Sequence, residues 1–321
     1  MLLFRKILIA LQFATLCLIS SIIFAKNNPV NTENYTNKYP DANLNFLGRC
    51  NSEMTQEQYQ ELLKESDIST FSNYYEAAPR VQRIAEIFAQ AKDRRGIFST
   101  MYVEITKESV SSSERGAYHN NEKSAELIKR FAERYFEPLH AYLRNGSENA
   151  FGINSIHYKE KYPIVSEWRA YFLLAEDCRT SDLRLLGAGS NSHLSIDLPY
   201  ALSEIRAPET FKQDFMKFGD ILIQKKRAST NLLIEQQNVY AASFFDLFFI
   251  GKFIDGFAPD GTAATWGFQL IRAEAWYYGQ SLQVNGIERV AESGMRAAWR
   301  ARQLLLSIMP HSSPEMRGTE E

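Results

Sequence analysis

Apolar residues recur at helical spacing in one segment of this chain after another, and that periodicity is what most limits its fold. Ile84, Phe88 and Ala91 share one face, then Phe98, Met101, Tyr102 and Ile105 share another, with Arg94-Arg95-Gly96 as the break between them. Leu127, Phe131, Tyr135, Leu139 and Leu143 make a third stripe, for which Pro138 predicts a kink or boundary and Asn145-Gly146 a stop. Phe268, Ile271, Ala275, Tyr278 and Leu282, followed by Ile287, Val290, Ala291, Gly294, Ala298, Ala301, Leu305 and Ile308, predict two final helices. Side chains three and four residues apart fall on one side of an α-helix, so each stripe is a face to be buried. Strict alternation of apolar and polar residues is scarce, and no hairpin dipeptide is flanked by it. The chain therefore reads as all-α, a single compact multi-helix bundle with no repeat at solenoid spacing.

Local signals place the helix ends. Thr55-Gln-Glu-Gln58 has the form of a capping box and opens the first helix of the body. Ser166 is expected to cap a helix carrying Trp168, Phe172 and Ala175, and Thr180-Ser181-Asp182 to cap the next. Residues 209–237 read as helical. The run from 241 to 257 is apolar on most sides but interrupted by Asp246, Lys252 and Asp255, which predicts a buried core helix instead of a membrane span, and Pro259-Asp-Gly261 predicts a turn. One domain from 55 to 309 follows, with an exposed tail over 310–321.

The N-terminus reads separately. Arg5 and Lys6 precede an apolar run from Ile7 to Phe24 that ends in Ile23-Phe24-Ala25. This is the layout of a secretory signal peptide over residues 1–25, cleaved after Ala25, with residues 26–54 as a linker; an uncleaved anchor is the alternative. The expected location is the periplasm or the medium, with membrane contact only through an uncleaved signal segment. Cleavage would remove Arg5 and Lys6 and no acidic residue, taking the formal charge from −2 to −4. No electrostatic capture of nucleic acid is expected from such a chain. Cys50 and Cys178 would then sit in a compartment that permits oxidation, and both a disulfide and two separate thiols remain open.

Chemistry concentrates in GAGSNSHLSIDLPYAL, residues 187–202. If 183–197 is helical, Gly189, Ser190, His193 and Asp197 lie on one side, the small residues admitting a neighbouring helix and the imidazole and carboxylate projecting into the gap. Leu198-Pro199 is expected to end that helix, because the residue before proline is pushed out of α geometry. Three readings of the pair stand: a structural hydrogen bond, a shared divalent ion such as zinc, and metal-free acid–base chemistry with Asp197 orienting His193 as a general base. A metal needs further ligands, and Glu104 and His140 are the candidates on packed helices. Glu137-Pro-Leu-His140 imitates the Glu-x-x-His spacing of di-iron bundles, once instead of twice. A phosphate loop, a Gly-x-Ser-x-Gly elbow, a His-Glu-x-x-His and a Cys-x-x-Cys are all missing from the sequence. Trp168, Trp276 and Trp299 sit at helical spacing and read as core.

GSNSHLSIDLPYAL resembles the signature of a bacterial family of helical proteins of unknown function, Gly-x-Asn-Ala-His-Ile-x-x-Asp-Leu-Pro-x-Ala-Leu. GIFSTMYVEITKESV, FAERYFEPLHAYL and IRAEAWYYG extend the resemblance over about 96–278. It implies a helical fold and no particular activity; Ser192 stands where that family has Ala. His193, Asp197 and Pro199 are also similar to the His-x-x-x-Asp fragment of zinc-dependent phospholipase C and single-strand nucleases, whose other histidines and N-terminal tryptophan have no counterpart here. Two functions are carried forward. One is a metal-assisted ester or phosphoester hydrolase with His193 and Asp197 catalytic and His193, Asp197, Glu104 and His140 as ligands. The other is a non-catalytic envelope or secreted binding protein in which the pair is architectural.

Overall fold

The computed structural model describes residues 50, 52–149, 162–241 and 262–307. Among them the helices are α1 (Gln56–Glu65), α2 (Ala77–Gln90), α3 (Ile97–Glu114), α4 (Asn121–Asn149), α5 (Ser166–Glu176), α6 (Asp182–Ser192), α7 (Leu198–Glu204), α8 (Lys212–Gln237), α9 (Thr262–Ser281) and α10 (Glu288–Ser307). No strand occurs among the described residues, and the all-α expectation holds. The signal segment 1–25, the linker up to 49, the apolar run beyond Ala241, the turn at 259–261 and the tail at 310–321 lie outside the described residues. No described helix is long and apolar enough to cross a membrane.

Helix α3 forms the centre, packed against α2, α4, α6 and α8. It is buried on nearly every side although half of its buried residues are Ser or Thr. Two of these hydroxyls bond back to their own helix, Thr106 Oγ1 donating to the Tyr102 carbonyl and Ser109 Oγ to that of Ile105, each at 2.8 Å. Phe98 and Tyr102 on the same helix supply the aromatic bulk that the site is built around.

The predicted helix ends are partly right. The Thr55 capping box forms, with Gln58 N–H donating to Thr55 Oγ1 at 3.2 Å and Thr55 N–H to Gln58 Oε1 at 2.9 Å. Ser181 caps α6 through the Arg184 N–H, and Arg94–Gly96 forms a 3-10 turn between α2 and α3. Ser166, by contrast, is the first residue of α5 and makes no capping bond. Helix α4 does not stop at Asn145-Gly146 but runs through Pro138 to Asn149. Leu139 and Leu143 are fully buried along it, and Asn145 is spent on a tertiary clamp with the Tyr162 backbone, its amide donating to the carbonyl at 2.7 Å and its oxygen accepting the N–H at 3.0 Å.

Proline 199 also fails to end its helix. Residues His193–Asp197 form a π-turn that joins α6 to α7, with the Leu198 N–H donating five residues back to the His193 carbonyl. Widening the helix by one residue here moves the carbonyl that a proline ring would strike, and Pro199 then occupies the first turn of α7, where its missing N–H costs little.

The end of the linker is pinned to the body. Cys50 and Cys178 form a disulfide, Cα atoms 5.1 Å apart and 128 residues distant in sequence. Alongside it Ser52 Oγ donates to Asp93 at 2.7 Å, and Asp93 forms a buried ion pair with Arg95, whose Nε donates at 2.8 Å. Closing so long a loop restrains the unfolded chain strongly. Replacing both cysteines by serine is expected to lower unfolding free energy by about 2–4 kcal/mol in urea titrations, and reduction should have no effect on the double variant.

Candidate functional site

The residues of the GSNSHLSID stretch divide between two sides of their helix. Asn191, Ser192 and Ser195 form a hydrogen-bonded seam to α10. Asn191 Nδ2 donates to the Trp299 carbonyl at 3.0 Å, Trp299 Nε1 to Ser192 Oγ at 3.2 Å, and Arg302 Nη1 to Ser195 Oγ at 2.8 Å. Ser192 also donates to the Glu167 carbonyl of α5 at 3.2 Å, so its hydroxyl bridges two helices. Ser190, His193 and Asp197 serve the interior formed by α3, α4 and α5. Gly189 lets α6 reach α3: a Cβ there would lie 2.8 Å from the Phe98 Cβ. The expected close approach at the small residues is therefore present.

His193 and Asp197 emerge side by side, as the spacing predicts, with Nδ1 and Oδ2 2.9 Å apart and both residues buried. The same Oδ2 accepts the indole N–H of Trp168 at 2.9 Å. Indole is only a donor, so Oδ2 accepts from Trp168, and a hydrogen on Nδ1 lets the same oxygen accept from His193 as well. In that tautomer Nε2 carries the lone pair, and it is buried with no hydrogen-bond partner. Burial pushes the imidazole well below its ordinary range and the Asp197 carboxyl well above its own, the Trp168 bond only partly opposing the latter. The imidazole is consequently uncharged. Its ring stacks on Phe131 of α4, centroids 3.6 Å apart and planes 13° from parallel, and meets Phe98 and Tyr102 edge-on.

His193 forms part of the wall of a cavity of about 70 Å³. Leu194, Ile128, Phe215 and Phe98 supply hydrocarbon, and partly exposed Ile105, Phe131 and Phe218 lie toward the surface. Its polar members are few. Thr106 and Ser109 are spent on their own helix, as described. Ser190 Oγ, one turn before His193, is buried without a hydrogen-bond partner. Arg272 of α9 brings a buried guanidinium that lies over the Phe215 ring and donates from Nη2 to the Phe215 carbonyl.

The other two residues read as ligands are placed elsewhere. Glu104, on α3, pairs with Lys107 at 3.1 Å on its partly exposed side. His140, on α4, has Nδ1 3.1 Å from both Ser66 Oγ and the Leu63 carbonyl beside α1. Glu137 of the Glu-x-x-His pair joins Arg130 at 2.7 Å. Among the described residues no group of three or more His, Cys, Asp or Glu side chains is placed to hold one metal ion. Helical spacing aligned these side chains on their own elements, but α1 and the α3 surface draw them to separate partners.

Three contributors escaped the sequence reading. Trp168 is core, as expected, and is also the second donor to Asp197. Ser190 lay on the right face but gave no sign that its hydroxyl would go unpaired. Arg272 sits one residue after buried Ile271 in an otherwise apolar stripe, and a cation in that register was the available signal.

A family model described as "Family of unknown function (DUF5995)" matches residues 75–307. No curated protein and no solved structure matches the chain. The match runs from the start of α2 to the end of α10, the helices that build the cavity, and the chain belongs to this DUF5995 family.

Proposed function

We propose that this is an exported protein that binds a small, largely apolar molecule in the α3–α4–α6–α8 cavity, with His193 Nε2 accepting a hydrogen bond from it. One observation carries the reading: a buried ring nitrogen without a hydrogen-bond partner belongs to a residue that lines a space otherwise bounded mainly by hydrocarbon. Leaving such an atom bare is costly, so a donor arriving with apolar groups around it gains on both counts. The cavity has about half the volume of an engineered cavity that takes benzene, so about three or four non-hydrogen atoms are enclosed. Export is supported by the signal-like N-terminus and by the Cys50–Cys178 disulfide, a bond that persists in oxidising compartments.

Hydrolysis of a short ester is the second reading, favoured by one feature, Asp197 holding through Nδ1 a histidine that lines the cavity. Against it, burial lowers the basicity of the ring and leaves the carboxyl poorly able to stabilise an imidazolium.

Nitrogen-15 NMR of protein labelled at histidine tests both. The expected spectrum has one imidazole with a bare Nε2 that shifts on titration with propan-1-ol and is missing from His193→Phe. An unmoved resonance up to high millimolar propan-1-ol and propionate would remove the binding reading. Release of nitrophenol from short nitrophenyl esters, lost in His193→Phe, would move the assignment to hydrolysis.

A further inference from the structure

The outer face of the α9–α10 hairpin is more apolar than the fold of one chain requires. Spacing along α10 predicts a buried stripe through Val290, Ala291, Gly294, Ala298, Ala301 and Leu305. The helix instead turns a neighbouring line inward: Ala291 and Met295 pack with Tyr278 and Ile196, and Leu306 enters the main core. Val290 is left 72% exposed and Leu305 56%. On α9, Leu270 and Tyr277, two turns apart, are 55% and 67% exposed. The Tyr278 ring lies against Gly294, and Arg302 donates to Glu274, so the two helices run antiparallel and present these side chains on one surface. Single apolar residues at a surface are ordinary, but bulky ones along both helices of a hairpin mark a contact.

Charge does not mark this face for an ionic partner. Glu274 and Arg302 neutralise each other within it. Arg289 and Arg300 stand seven and four residues from Arg296, which reaches Glu167 of α5, so that basic line runs along the flank of α10 turned away from α9. The size of the face suits a protein partner. Each helix has 20 residues and is about 30 Å long, and two of them side by side offer about 600 Å². A pair of such faces buries about 1,200 Å² in total, the lower end of what a stable, specific dimer needs.

The face also fits a copy of itself. The Tyr278–Gly294 and Glu274–Arg302 contacts put Tyr277 level with Ala297 and Ala298 across the hairpin. A two-fold axis at that level sets the protruding Tyr277 of each copy over the small residues of the other, and sets Val290 against Leu270 of the second copy. We infer that this protein is a two-fold dimer, in which the outer α9–α10 face is buried against the same face of a second copy. The contact lies on the far side of α10 from the seam to Asn191 and Ser195, and it holds whatever the cavity contains.

Sedimentation equilibrium of the intact, disulfide-bonded protein between about 1 and 100 µM is the test. The expected mass is twice that of one chain, with a dissociation constant of about micromolar order. Val290→Glu and Tyr277→Glu each place an unpaired charge in the middle of the contact and should weaken association about a hundredfold. Both positions are exposed in the single chain, so the circular dichroism and melting midpoint of dilute protein should not change. Arg300→Glu, on the basic flank, should leave the dimer intact. A single-chain mass up to about 100 µM overturns the inference, and so does a dimer that survives both glutamate substitutions. A single chain that pellets with phosphatidylglycerol vesicles, and no longer does so as Val290→Glu, overturns it in favour of a membrane surface.

Discussion

Asp197→Ala is expected to destabilise the fold by about 3–5 kcal/mol, measured by urea unfolding at pH 7. The substitution removes one acceptor and strands two buried donors, the Nδ1–H of His193 and the indole N–H of Trp168. Each unsatisfied donor costs about 1–3 kcal/mol, and the space left by the carboxyl adds to this. His193→Phe should cost much less, since it leaves Asp197 with the Trp168 bond and fills the same stacked position on Phe131. The double variant should fall well short of the sum of the two single losses, because with His193 gone Asp197 has only one donor left to serve. A loss below about 1 kcal/mol for Asp197→Ala would mean that water reaches these donors and that the pair is not sealed as described.

The second large effect lies at the N-terminal clamp. Arg95→Met should cost about 3–5 kcal/mol at pH 7, because it strands the Asp93 carboxylate in the interior. Its pH dependence carries the signature. Burial alone would push the Asp93 carboxyl up, but the Arg95 charge and hydrogen bonds from Arg95 and Ser52 hold it below its ordinary value of 3.8. A lowered carboxyl contributes stability above about pH 4 and loses it as the pH falls through the depressed value, so the wild type should weaken on acidification. In Arg95→Met the sign reverses. The uncompensated carboxyl is raised, and its penalty disappears as acid protonates it, so the gap between variant and wild type should narrow from pH 7 to pH 4. A constant gap over that range would show that Asp93 is not the group responsible.

The helices were legible because each carries a stripe that must be buried, and local chemistry fixed several of their ends. The Thr55 box and the Ser181 cap use neighbours three residues away, so they form wherever the helix forms. Signals that tertiary contacts can outbid were less dependable. Asn145-Gly146 reads as a stop, yet burial of Leu139 and Leu143 and the clamp to Tyr162 carry α4 past it. Pro199 reads as a terminus, yet the π-turn accommodates it.

For the site, the sequence alone determined that His193 and Asp197 would share a face one turn apart, because that follows from helical geometry within a single segment. It also determined membership in a helical family through residues that lie along most of the body. Only the tertiary structure decided which outside groups meet that face. Trp168 arrives from α5, Phe131 from α4 and Arg272 from α9, while Glu104 and His140 turn to other partners. Spacing along one helix fixes directions relative to its own axis. How neighbouring helices rotate and how deeply they approach depends on packing summed over many small contacts, and no local pattern encodes that sum.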